Sequence, residues 1–315
     1  MIDETVIKSN PFADLAFSGK TGVFRWILTI IVSLFVGVIL SIILGVVARM
    51  IFPDALKEGT LTYLALVLGV IAIYMPVFLI FAKIFHKRKM ITFLTGYDRF
   101  RWKRLFTAAL VFLSVIIIFE VISYIIKPAT YHWYFDSEKF PFLMLITLLI
   151  VPFQAAAEEV LFRGYLQQFI VRLTKRPWIA IIISSVLFFG MHAMNPEFQK
   201  YGIFYALINY GGFGLLFGLL AFWDGGLEAA IGVHVINNMY GISLVSFNDS
   251  VGGVFSLIMI DPYDPLIGTI SFVIGSVLFV MVLMKGKRSV FKERIFAASY
   301  QSVNNQSVNN QSVVK

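Results

Sequence analysis

Two adjacent glutamates, with an arginine four residues after the second, occur in "AAAEEVLFRGYLQQ" (155–168), directly after the apolar run "FLMLITLLIVPFQ". Farther along stand "FFGMHAM", with His192, and "HVINNMYG", with His234, Asn237 and Asn238. On a helix Glu159 and Arg163 are spaced i,i+4 and share a face, so they can pair. Glu158 is turned by about 100° from Glu159, toward the side of Phe162 and Tyr165. One carboxylate is then neutralised and the other is left without a charged partner, a state that suits a general base near neutral pH.

Each group also has a plainer reading. Glu159 and Arg163 form a salt bridge that fixes helix packing; His192 is satisfied by local hydrogen bonding. His234 and Asn238 are again i,i+4, with Asn237 a rival at i+3, and alone they serve as interhelical glue worth roughly 0.6 kcal/mol. Taken together, a carboxylate, two imidazoles and an amide can activate water and stabilise an oxyanion. Glu158, His192 and His234 are also a compatible ligand set for zinc with one position open to water. No H-E-x-x-H motif is present, so the residues do not demand a metal, and no other cofactor is indicated.

What must position these groups is lipid-embedded helix. The chain is 59% hydrophobic and 14% charged, far from the roughly 45–50% and about 25% of soluble domains. Several apolar runs exceed the roughly 20 residues that cross a hydrocarbon core of about 30 Å. The fold class expected is all-α, a polytopic transmembrane bundle of about eight spans: 26–51, 62–85, 105–127, 142–171, 178–194, 203–223, 227–247 and 266–284. Ionisable side chains inside spans are costly and face protein or a watery cavity; besides the residues above, only Glu120 and, near a span end, Glu228 raise that question.

Basic residues cluster in alternate connections. Lys87, Arg88, Lys89, Arg99, Arg101, Lys103 and Arg104 lie between the second and third spans, Arg172, Lys175 and Arg176 after the fourth, and Lys285, Lys287, Arg288, Lys292 and Arg294 after the last. The other connections hold Lys57, Lys127, Lys139 and Lys200. This asymmetry predicts N-in, C-in. The net charge of +8 is then topological; anionic lipid on the cytoplasmic side is the expected neighbour, and nucleic acid is not. No cysteine is present, which excludes thiolate and disulfide chemistry. "SGKTG" (18–22) lacks the earlier glycine of a phosphate loop, since position 14 is Asp14, and no strand precedes it. Residues 1–25 read as a cytoplasmic segment, 26–139 as accessory helices with the basic loop 86–104, 140–285 as the chemical core, and 286–315 as a tail whose QSVNN repeats read as disordered.

The ordered set "EEVLFR" (158–163), "FFGMH" (188–192) and "HVINN" (234–238) resembles the CPBP family, the CAAX-protease and bacteriocin-processing (Abi) intramembrane proteases, also called type II CAAX prenyl endopeptidases. The likeness covers roughly residues 140–248. It implies hydrolysis of peptide bonds in membrane-associated peptides or proteins. By that resemblance Glu158, helped by His192, activates water, His234 and Asn238 bind the carbonyl oxygen, and Glu159 with Arg163 hold the site together. The short loops and compact size point to a bacterial cytoplasmic membrane as the location. The water-filled cavity is expected to open toward the basic side or laterally to lipid. The competing reading is a non-catalytic membrane scaffold or bacteriocin-immunity protein that binds a peptide in the same pocket. A proton-relay transporter fits less well, because no internal repeat or matched pair of broken helices is visible. In "GFGLLFG", Gly214 and Gly218 have the spacing that permits close helix approach.

Overall fold

The computed structural model describes residues 10–54, 56–248, 250–251 and 255–297. The expected repeat tail, and the first nine residues of the N-terminal segment, lie outside these. The described chain is a helical bundle with six helical segments long and apolar enough to cross a membrane: Val23–Ile51, Leu61–His86, Trp102–Ile126, Phe140–Thr174, Pro196–Asp224 and Pro265–Leu283. The chain is therefore an integral membrane protein of the polytopic helical class. Helices α1 (Val23–Ile51), α2 (Leu61–His86) and α3 (Trp102–Ile126) begin and end within a few residues of the expected spans.

The fifth and seventh expected spans are shorter than the rest. They appear as α7 (Pro177–Met191) and α10 (Glu228–Ser243), of 15 and 16 residues. At 1.5 Å per residue these are about 22–24 Å long, less than the roughly 30 Å of a hydrocarbon core. α10 carries Glu228, His234, Asn237 and Asn238 and packs against α3, against α5 (Val151–Glu159) and against α9 (Gly212–Asp224). It is enclosed by protein, which relieves it of the length and apolarity that contact with lipid imposes.

The fourth span is built in pieces: α4 (Phe140–Leu149), α5, a π-helical stretch Val160–Leu166, and α6 (Gln167–Thr174). Pro152 lies in the first turn of α5, where a missing N–H is harmless. The sixth span combines α8 (Pro196–Ala206), a second π stretch Leu207–Gly211, and α9. Such wide turns are frequent at functional sites. The last spanning helix is α11 (Pro265–Leu283), and a short α12 (Phe291–Phe296) follows it.

Two ends of the bundle differ in chemistry. At the basic end Arg101 reaches Asp224 at 2.9 Å and Glu228 at 2.8 Å, while Arg104 and Lys287 hold the same Asp224 at 3.0 and 2.6 Å. Asn10 donates to Phe222 O, and Phe12, Ala13 and Ala16 are fully buried, so the N-terminal segment packs into this end. At the opposite end β1 (Tyr131–Trp133), β3 (Ile258–Ile260) and β2 (Val245–Phe247) form a small sheet in the order β1-β3-β2. β1 runs antiparallel and β2 parallel to β3. Strands of three residues are too short to show an alternating pattern in sequence, and the sheet was not expected.

Gly214 and Gly218 do what their spacing implied. A Cβ on Gly214 would lie 2.9 Å from the Cα of Ser185, and one on Gly218 would lie 3.2 Å from Ile181. Both partners are on α7, so the glycines let α9 press against the helix that ends at His192.

Candidate active site

Glu158 and Glu159 end α5 and enter the π stretch that carries Arg163. Glu159 and Arg163 are both fully buried, and Arg163 Nη1 donates to Glu159 Oε1 at 2.9 Å. The Arg163 Nη2 donates to the carbonyl of Gly214 at 3.2 Å, and its guanidinium carbon sits 4.4 Å from the centre of the Phe188 ring. The pair expected from i,i+4 spacing is therefore formed, and it also fastens the fourth span to α7 and α9.

His234 closes the same carboxylate from the other side. Its Nδ1 donates to Glu159 Oε1 at 2.8 Å, and Phe217 stacks on its ring at 4.9 Å and 17°. With Nδ1 so engaged, Nε2 points the remaining ring function toward Glu158, whose Oε2 is 3.7 Å away. That gap is too long for a direct hydrogen bond and suits a shared water.

Glu158 is 7% exposed. Its Oε1 accepts from the amide of Gln154, and its Oε2 has no hydrogen-bond partner although it is buried. Gln154 in turn accepts from Asn238 Nδ2 at 3.1 Å, and Asn237 donates to Asn238 Oδ1 at 3.3 Å. One N–H of the Asn238 amide is thus occupied and the second is open. His192 caps α7; its Nδ1 bonds to the Phe188 carbonyl at 2.7 Å, and Tyr210 stacks on its ring at 4.6 Å and 21°.

A cavity of about 440 Å³ joins these groups: Glu158, His192, His234 and Asn238 all line it. Glu159 and Arg163 do not line it; they stand behind Glu158 and His234. From Glu158 the lining runs past Ile242 to β2, Ser250 and Val251, so the cavity leads toward the sheet end. The basic end, where Asp224 and Glu228 pair with Arg101 and Arg104, is not where the lining leads. No residue of the basic loop 86–104 lines it.

Among the described residues no three histidine, aspartate or glutamate side chains are gathered so as to hold a metal ion. The trio Glu158, His192 and His234 shares the cavity without forming a ligand set.

Gln154, Asn195, Glu197 and Tyr210 are among the lining residues that were not foreseen. Gln154 was signalled only as an amide one turn before Glu158. Glu197 accepts from Tyr210 at 3.1 Å and from the backbone N–H of Val251 at 2.6 Å, and Asn195 donates to Tyr210 at 2.9 Å. These three sit in and around a connection whose sequence has no apolar period; Tyr210 is turned toward His192 by the second π stretch.

Residues 138–240 match the family described as type II CAAX prenyl endopeptidase Rce1-like. The "Uncharacterized protein YyaK" of Bacillus subtilis (strain 168) is 32% identical over 182 residues, which span 57% of this chain and 60% of that relative. The match thus spans less than two thirds of the relative's length. No solved structure is a significant match. Glu158, Glu159, Arg163, His192, His234 and Asn238 all fall within the stretch that matches the Rce1-like type II CAAX prenyl endopeptidase family.

Proposed function

We propose that this protein is an intramembrane endopeptidase that hydrolyses peptide bonds of membrane-associated peptides or proteins, with Glu158 as general base. The observation that carries the reading is the contrast between the two glutamates. Arg163 and His234 both bond Oε1 of Glu159, which stands outside the cavity, whereas Glu158 has no ion-pair partner within hydrogen-bond distance and lines the cavity with both imidazoles.

In this reading a water held between Glu158 Oε2 and His234 Nε2 gives its proton to Glu158 as its oxygen adds to the scissile carbonyl carbon. The carbonyl oxygen gains negative charge beside the open N–H of Asn238. Collapse of this intermediate breaks the C–N bond, and the proton held by Glu158 goes to the departing amine. Correct positioning of the base supplies on the order of 10²–10⁴ in rate, and a fixed donor at the oxyanion a further 10²–10³. His192, locked by Phe188 and Tyr210, lines the wall opposite and orients water or substrate. The basic end lies in the cytoplasm, so both termini are cytoplasmic and the membrane is that of a bacterium. The exposed Lys87, Lys89, Arg99 and Lys103 meet anionic lipid, while Arg88, Arg101 and Arg104 are used in internal contacts.

The test is cleavage of a membrane-peptide library by purified wild type and Glu158→Gln, with thermal unfolding measured on both. Cleavage by wild type, and its loss in a variant that unfolds at the same temperature, supports the reading. Equal cleavage by both proteins removes Glu158 from the role of base.

A further inference from the structure

A second cavity, of about 260 Å³, lies beside the first. Asn209, Phe213, Asn237 and the three residues of β2 line both, so the two meet along one wall. The volume falls just under the range of whole small-molecule sites, which fits one long side chain better than a complete ligand. Its flanks are apolar, with Phe112, Phe119 and Phe272 among them. Deep along α3, however, the lining includes Glu120, the carboxylate whose place in a span the sequence leaves unexplained.

The Glu120 carboxylate accepts from the hydroxyls of Tyr131 on β1 and Tyr240 on α10, and no ion pair with a lysine, arginine or histidine is formed by it among the described residues. Two further charges reach this cavity, Lys127 and Asp264. They neutralise one another at 2.6 Å, and the hydrogen bond from Lys127 holds the Asp264 carboxyl below the usual carboxylate range. The cavity therefore carries one acid with no cationic partner, held by hydroxyls beside an apolar flank, a position that favours a cation brought in from outside.

We propose that this second cavity is a specificity subsite for a lysine or arginine side chain of the substrate, its methylene stem against the phenylalanines and its cation on Glu120. Long basic side chains bury their stems on apolar surface while the head keeps its charge, and the shared wall lets one peptide occupy both cavities. The assignment rests on the peptidase reading above.

The experiment uses the full-length protein in lipid nanodiscs and a peptide set carrying lysine, arginine, norleucine or glutamate at each position in turn. Both kcat/KM on wild type and binding to Glu158→Gln protein are measured. At one position lysine and arginine are expected to exceed norleucine by about tenfold or more, the size of a partly desolvated charge pair. In Glu120→Gln, which keeps the acceptor for Tyr131, that ratio should fall to near unity, and Glu120→Lys should favour glutamate at the same position. An unchanged lysine-to-norleucine ratio in Glu120→Gln, or no position that prefers a cation, overturns the proposal and leaves the peptidase reading standing. If no peptide is cut or bound, the peptidase reading falls, and n-butylammonium becomes the probe. A rise in the unfolding temperature of wild type but not of Glu120→Gln then upholds the cation site, and equal behaviour overturns it.

Discussion

Nδ1 of His234 on α10 lies 2.8 Å from Oε1 of Glu159 on α5, the same oxygen that Arg163 holds at 2.9 Å. One buried carboxylate oxygen thus sets the ring of a histidine on another helix and fixes which of its nitrogens faces Glu158. Glu159 and Arg163 are a support on which the geometry of the cavity depends, and this gives them a measurable role distinct from that of Glu158.

Removing the arginine tests the support. Arg163→Ala leaves Glu159 buried with only His234 to meet it. Breaking a buried pair from one side costs about 3–5 kcal/mol, so yield should fall and the unfolding midpoint in detergent should drop by several degrees. Arg163→Lys should recover little of this, because a lysine cannot serve both the Glu159 carboxylate and the Gly214 carbonyl with one planar fork. A stable and fully active Arg163→Ala protein would contradict the assignment.

Gln154 provides a second test, of a residue with no charge to offer. Its amide bridges Glu158 and Asn238, so Gln154→Ala should loosen both the proposed base and the proposed oxyanion donor. A fall of about tenfold or more in kcat is expected, the scale of a displaced catalytic group. KM should move less, and stability by about 1–2 kcal/mol, that of a buried hydrogen-bond partner lost. Gln154→Glu should lower activity further, since it sets a second carboxylate against Glu158.

Chelation addresses the zinc that the sequence left open. Because no three ligating side chains are gathered among the described residues, overnight treatment with phenanthroline or EDTA should leave peptide cleavage within about twofold of the untreated protein, well short of the 10- to 100-fold losses that follow disturbance of metal sites. Loss of activity restored by added Zn²⁺ would mean that Glu158, His192 and His234 draw together around an ion during turnover.

The basic end offers a prediction about stability alone. Arg101 contacts both Asp224 and Glu228, whose side chains are fully buried. Arg101→Ala should therefore destabilise the protein by about 2–3 kcal/mol, somewhat less than a wholly buried pair because the arginine is partly exposed. Neutralising the neighbouring Lys103, which is exposed, should leave the unfolding midpoint unchanged within about 0.5 kcal/mol. Thermal unfolding of the two variants side by side separates the structural cations from the surface ones.

The amino-acid sequence by itself determined what is local. Apolar runs of helical length specified the long spans, because in lipid each helix must satisfy its own backbone. The i,i+4 rule determined that Glu159 pairs with Arg163, and the 100° step set Glu158 apart from them. Only the tertiary structure decided what depends on the rotation and depth of one helix against another. That includes the bond from His234 to Glu159, the bridge of Gln154 to Asn238, and the stacking of Tyr210 on His192. It also decided that α7 and α10 are short, that α10 is enclosed by protein, and that the cavity runs to a sheet no strand pattern foretold. These contacts join residues 18 to 84 positions apart, and their partners are polar groups whose types are common and whose spacing along the chain carries no period. Helix packing selects among them through close approaches such as Gly214 against Ser185, a constraint that exists only when both helices are in place.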